Sequence, residues 1–172
     1  MLATAYRLTI FRQSSLASKL TQNSFKSLRF MASAHPTAPE GYFFAGPMSA
    51  FSHETQEIFP IDTPLNKRIA IVNRKKKLSA VVNICPHQGV GLHKGECVDI
   101  EDMGITWGSA IVCASHGWSF DLETGACGNT RFVIDVHDIK VVEDNVYVSL
   151  KPKNGNIQGP RRDFGGKESD LN

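Results

Sequence analysis

Two pairs of side chains carry the chemistry of this sequence. Cys85 and His87 are separated by one residue in "CPH", and Cys113 and His116 by two in "CASH", with 25 residues between His87 and Cys113. Each pair offers one thiolate and one imidazole, which suit zinc, iron or an iron–sulfur cluster, so metal binding is the leading reading. A Cys2His2 zinc site draws on the same residue types, but zinc fingers usually group like with like, and each pair here is mixed. Mixed pairs allow two cysteines to hold one iron and two histidines a second. At this point zinc stays open. A cytosine-deaminase-type zinc site is disfavoured, because its His-x-Glu followed by Cys-x-x-Cys is absent.

The remaining reactive side chains lack such company. Cys97 and Cys127 read as buried structural thiols. His93, eight residues after Cys85, reads as a hydrogen-bonded histidine rather than a proton relay. His53 and His137 have no motif around them. Lys75, Lys76 and Lys77 read as a solvated hairpin tip.

Short strands must position the two pairs. "RIAIVN" (68–73) and "LSAVVNI" (78–84) flank "RKKK" as a hairpin that runs directly into Cys85. In the second of these strands Leu78, Ala80, Val82 and Ile84 fall on one face and Ser79 and Asn83 on the other, the pattern of a half-buried strand. "SAIVC" (109–113) is a further strand ending at a ligand cysteine, and a turn at Leu122 and Glu123 follows it. "IKVV" and "VYVSL" close a last hairpin around "EDN". The acidic segment "ECVDIEDMGITWG" (96–108) reads as a surface insertion between the two pairs.

The chain of 172 residues has a net charge of +2 that is unevenly spread. Residues 1–39 hold five basic side chains and no acid, while residues 40–172 hold 14 Lys and Arg against 17 Asp and Glu. The body is mildly acidic and gives no nucleic-acid footprint. The basic segment 1–40, rich in Ser, Thr, Ala and Leu, reads as a mitochondrial transit peptide. Met31 is a candidate second start that would leave a cytosolic form. No secretory signal and no transmembrane span are visible, so the four cysteines read as reduced thiols free for metal. Residues 153–172, rich in Gly, Asn and charge, read as a disordered tail.

The runs "CPHQGVGL" and "CASHGWSFDLETGAC" resemble a Rieske 2Fe-2S domain, of the soluble kind found in ring-hydroxylating oxygenases and their ferredoxins. The resemblance extends over residues 41–150, within a domain read as 41–152, and is sharp only over 84–127. It implies an all-β fold of stacked antiparallel sheets, with a small cluster-binding subdomain made by loops 84–90 and 113–120. It implies a 2Fe-2S cofactor with Cys85 and Cys113 on one iron and His87 and His116 on the other. The implied activity is one-electron transfer between a reductase and an oxygenase or other acceptor, with no complete active site on this chain. A redox- or iron-sensing module and a small subunit of a larger oxidoreductase are the alternatives.

Two departures refine the subtype. Respiratory-chain members of this resemblance carry an extra cysteine in each loop, joined as a disulfide; Val90 and Ser115 stand there. Those members also place a serine and a tyrosine after the second His-Gly, where this chain has Trp118 and Phe120. Fewer hydrogen-bond donors toward the cluster imply a lower reduction potential. The mononuclear-iron domain of the oxygenases is not expected, since only 20 residues follow Pro152 and none is histidine.

Overall fold

A computed structural model describes residues 37–52 and 56–169. The basic segment read as a transit peptide lies almost wholly outside the described residues, as does His53.

Among the described residues nine strands form two antiparallel sheets. The larger sheet runs in the order β1 (Tyr42–Pro47), β9 (Asn145–Pro152), β8 (Val136–Val142), β4 (Lys77–Val82), β3 (Arg68–Arg74), β2 (Ile58–Asp62). The smaller is β5 (Glu96–Asp102), β6 (Ile105–Val112), β7 (Ser119–Asp121). The expected all-β class and both expected hairpins are present. The tip residues Lys75 and Lys76 take φ of 50° and 65°, and Glu143 and Asp144 take 46° and 66°. Two consecutive left-handed residues give the turn whose twist matches the paired strands.

Side-chain alternation along β3 divides the core. Ile69 and Ile71 enter one cluster with Phe43, Phe51, Phe59, Val146 and Val148, while Ala70 and Val72 enter the other with Leu92, Ile111, Phe120 and both ligand cysteines. The large sheet is thus buried on two faces, and the second face carries Cys85 and Cys113. This corrects the half-buried reading of β4. Ala80 serves one cluster and Val81 the other, and Asn83 just beyond the strand is wholly buried. Both faces of β4 are covered by the two clusters from Ala80 to Val82, while Lys77 to Ser79 still reach solvent.

Residues 96–108 are mostly strand, because β5 and β6 form a hairpin around Met103 and Gly104. Its far end projects Met103, Ile105 and Trp107 into solvent. Residues 153–169, expected to be disordered, instead form an ordered strap. Asn154 is 3% exposed; its side chain accepts from the Val136 N–H (3.1 Å) and donates to the carbonyls of Thr124 (2.7 Å) and Ile134 (2.9 Å). Arg161 pairs with Asp135 at 2.9 Å and Lys67 with Asp163 at 3.3 Å. Polar anchoring of this kind leaves no hydrophobic period in the sequence. Among the described residues no helix is long and apolar enough to cross a membrane.

Candidate metal centre

The two ligand loops share one backbone design. Cys85 and Cys113 follow the ends of β4 and β6, and in each loop the residue four further on, Gly89 or Gly117, donates its N–H to the cysteine carbonyl (2.9 and 3.0 Å). The next residue's carbonyl, of Val90 or Trp118, accepts the cysteine N–H at 2.8 Å in both. Closing that turn requires positive φ at the fifth position, and Gly89 (79°) and Gly117 (66°) supply it without a Cβ penalty. The histidine is the third residue of the first turn and the fourth of the second.

These turns bring the four predicted ligands together in two tiers. Cys85 and Cys113 are each 2% exposed and lie within the core, whereas His87 is half-buried and His116 exposed. The two imidazole rings stand 4.5 Å apart between centroids, at 70° to one another. The site therefore has a buried sulfur side and an outward nitrogen side.

The thiols share a hydrogen bond, and this splits their acidities. Cys113 is lowered, first by the bond from Cys85, against burial, and further by the backbone N–H groups of Ser115 and His116 aimed at its sulfur. Cys85 is pushed up by its bond to Cys113 and by burial, which the His87 N–H only partly opposes. Two thiolates this close in the core repel unless a cation lies between them. One further atom makes the same demand: the buried Nδ1 of His87 has no hydrogen-bond partner among the described residues. A bare, buried imidazole nitrogen costs free energy that a metal bond would offset. The donor set, the paired cysteine sulfurs and the orphan nitrogen all fit an iron–sulfur cluster.

The arrangement is one of pairs. Among the described residues no group of three or more His, Cys, Asp or Glu gathers as it would around a single ion. A cluster with two irons asks for only two side chains on each.

Aromatic side chains wall the histidine tier. Trp118 stacks on His87 with ring centroids 4.5 Å apart and planes 7° from parallel, and Phe132 lies 5.5 Å from Trp118. Phe120 is wholly buried beneath. Asn129, in the irregular segment between β7 and β8, accepts from the backbone N–H (3.3 Å) and hydroxyl (3.2 Å) of Ser119. Phe132 and Asn129 escaped the sequence reading because they sit in an irregular segment with no period.

The other predicted residues fall as expected, outside the centre. Cys127 is core, and Cys97 packs against the core with its thiol pushed up to about 12 by burial. All four cysteines are free. His93 lies in a polar cluster, with its backbone N–H bonded to Asn83 Oδ1 at 2.7 Å. His137 bonds the Ser149 carbonyl through Nδ1 at 2.8 Å. Val90 is buried and Ser115 exposed, so neither loop holds the extra cysteine.

A family model described as the Rieske [2Fe-2S] domain matches residues 49–142. No curated protein sequence matches the chain. Among solved structures, a chain of the complex of reduced oxygenase and oxidized ferredoxin in carbazole 1,9a-dioxygenase aligns with TM-score 0.53 at 20% identity, over 67% of this chain and 98% of that one. The ferredoxin of carbazole 1,9a-dioxygenase from Nocardioides aromaticivorans IC177 aligns with TM-score 0.51 at 19% identity, over 65% and 98%. The terminal oxygenase from the same source aligns with TM-score 0.51 at 19% identity, over 65% of this chain but only 30% of its own. At these identities the likeness speaks for the fold.

Proposed function

Because the chain belongs to the Rieske [2Fe-2S] domain family, whose domain binds a two-iron cluster, we propose that Cys85 and Cys113 hold one iron of that cluster and His87 and His116 the other. The observation that carries this reading is the two-tier site, in which buried thiols oppose an orphan imidazole nitrogen. The cluster, when bound, supplies the one-electron redox step. This chain's residues then have separable tasks. The backbone N–H groups of His87, Ser115 and His116 point at the cysteine sulfurs and stabilise negative charge there. Trp118 orients the His87 ring and keeps water from its face. His116 presents an exposed imidazole edge for partner contact.

The protein is a one-electron carrier between a reductase and an oxygenase or another acceptor. The ferredoxin named among its fold neighbours supports that reading. Residues 1–40 direct it to the mitochondrial matrix, a reading supported by their basic, Ser-rich composition with no acid before Glu40. The test of the carrier is reduction of the full chain by a ferredoxin reductase, followed by single-turnover oxidation by an added acceptor. One electron per chain is expected in each direction, and a chain that no reductase reduces would overturn the reading. Import of a reporter fused to residues 1–40 tests the address.

The exposed Met103, Ile105 and Trp107 favour a second reading, a small subunit of a larger oxidoreductase. A subunit copurifies with its partner as a stoichiometric complex, whereas a free carrier elutes alone.

A further inference from the structure

The strap ends on the first ligand loop. The Ser169 N–H donates to the Gly89 carbonyl at 2.9 Å, and the Phe164 ring lies so close that a Cβ at Gly89 would stand 3.3 Å from it. Between them, Glu168 Oε1 accepts from Asn83 Nδ2 at 2.7 Å and from Arg68 Nη1 at 3.1 Å, and lies 3.6 Å from His93 Nδ1. Asn83 is wholly buried two residues before Cys85, and its own carbonyl accepts the Leu92 N–H at 3.2 Å. The strap therefore grips the loop on both sides of its ligands, at Asn83 before Cys85 and at Gly89 after His87.

A second line of contact reaches the histidine tier. The Arg162 guanidinium sits over the Phe132 ring at 5.1 Å, and Phe132 packs on the Trp118 that stacks against His87. Among the described residues the second loop has no comparable cover. Residues Ala114 to Gly117 are exposed, and a Cβ at Gly117 would meet nothing within 4 Å. Two loops of one backbone design thus sit in opposite surroundings.

We propose that Phe164, Glu168 and Ser169 are positioning residues for the metal centre: the C-terminal strap clamps the first ligand loop, fixing Cys85 and His87 and slowing cluster release, and leaves the second loop free. The inference rests on the cluster assignment above. Physically, a clamped loop has already lost the backbone freedom that ligand departure would regain, and partners behind the ligands set their orientation.

The experiment compares the cluster-loaded full chain with Glu168→Ala, Glu168→Gln and Phe164→Ala. Three quantities are read: the rate of visible bleaching by an iron chelator, the g-values of the reduced state, and hydrogen exchange at the Cys85 and Gly89 amides. Glu168→Ala and Phe164→Ala should bleach about tenfold faster, the usual scale for partners behind a ligand, with shifted or broadened g-values and faster exchange. Glu168→Gln, which keeps the bond from Asn83, should stay near the parent. Val148→Ala, which loosens the opposite core cluster, should lower the melting temperature without moving the other readouts. Parent-like bleaching, g-values and exchange in both alanine variants would overturn the clamp, as would equal effects from Val148→Ala. A parent chain without iron and sulfide would instead overturn the cluster assignment, and amide exchange alone would then decide whether the strap holds the loop.

Discussion

Replacing Asn154 with alanine tests whether the strap is held by side-chain hydrogen bonds where the sequence suggests a free tail. The side chain makes three bonds to backbone groups: from Val136 N–H, and to the carbonyls of Thr124 and Ile134. A buried hydrogen bond contributes about 1 kcal/mol net, and an abandoned buried partner costs somewhat more. Val136 and Ile134 are buried, while Thr124 is half-buried and can take water instead. The loss should therefore be about 2–3 kcal/mol. At roughly 3–5 °C per kcal/mol for a domain of this size, the melting temperature should fall by about 10 °C. Far-UV circular dichroism melts at matched iron content provide the assay. Asn154→Asp discriminates further, since it keeps the acceptor for Val136 but turns a carboxylate oxygen toward two carbonyls. It should do no better than alanine at neutral pH. An alanine variant within about 2 °C of the parent, or a well-tolerated aspartate, would refute the reasoning.

Burial lowers the His137 pKa, opposed by its bond to the Ser149 carbonyl and by Asp135 and Asp138, and aided by Lys67. A depressed histidine stabilises the fold above its unfolded pKa of about 6.5 and loses that contribution as pH falls. Between pH 7.5 and 5 the parent should lose stability more steeply than His137→Asn, by at most about 1.4 kcal/mol per pH unit; parallel profiles would remove His137 from the explanation. Trp118 and Phe120 donate no hydrogen bond to sulfur as a serine and tyrosine would, so voltammetry should place the midpoint in the lower part of the span of about −150 to +300 mV. A value near the top would contradict this. All four cysteines are free, so a thiol reductant should leave melting temperature and midpoint unchanged.

The two loops were legible because Cys85, His87, Cys113 and His116 lie in two short runs whose spacing reflects one repeated turn. The cysteine-to-glycine interval is four residues in both loops, and that interval is what the turn's hydrogen bonds require. Hairpins were legible from β-branched alternation, as at 68–74. The faces of β4 were misjudged because alternation marks a strand with one wet face, and from Ala80 to Val82 this strand has none. The strap left no such trace, since Asn154, Arg161 and Glu168 hold it through polar contacts to residues 20 to 100 positions away. Asn83 was the available signal. A polar residue assigned to a wet face, yet two positions from a buried ligand, needs a partner, and Glu168 supplies it.

The central claim is that Cys85, His87, Cys113 and His116 hold one two-iron cluster. It is tested most directly by purifying the chain without air, measuring iron, sulfide and zinc, and recording the electron paramagnetic resonance spectrum of the reduced state. Equal iron and sulfide with a rhombic signal of mean g below the free-electron value, lost in Cys85→Ser, is the predicted result. Stoichiometric zinc without sulfide would contradict it.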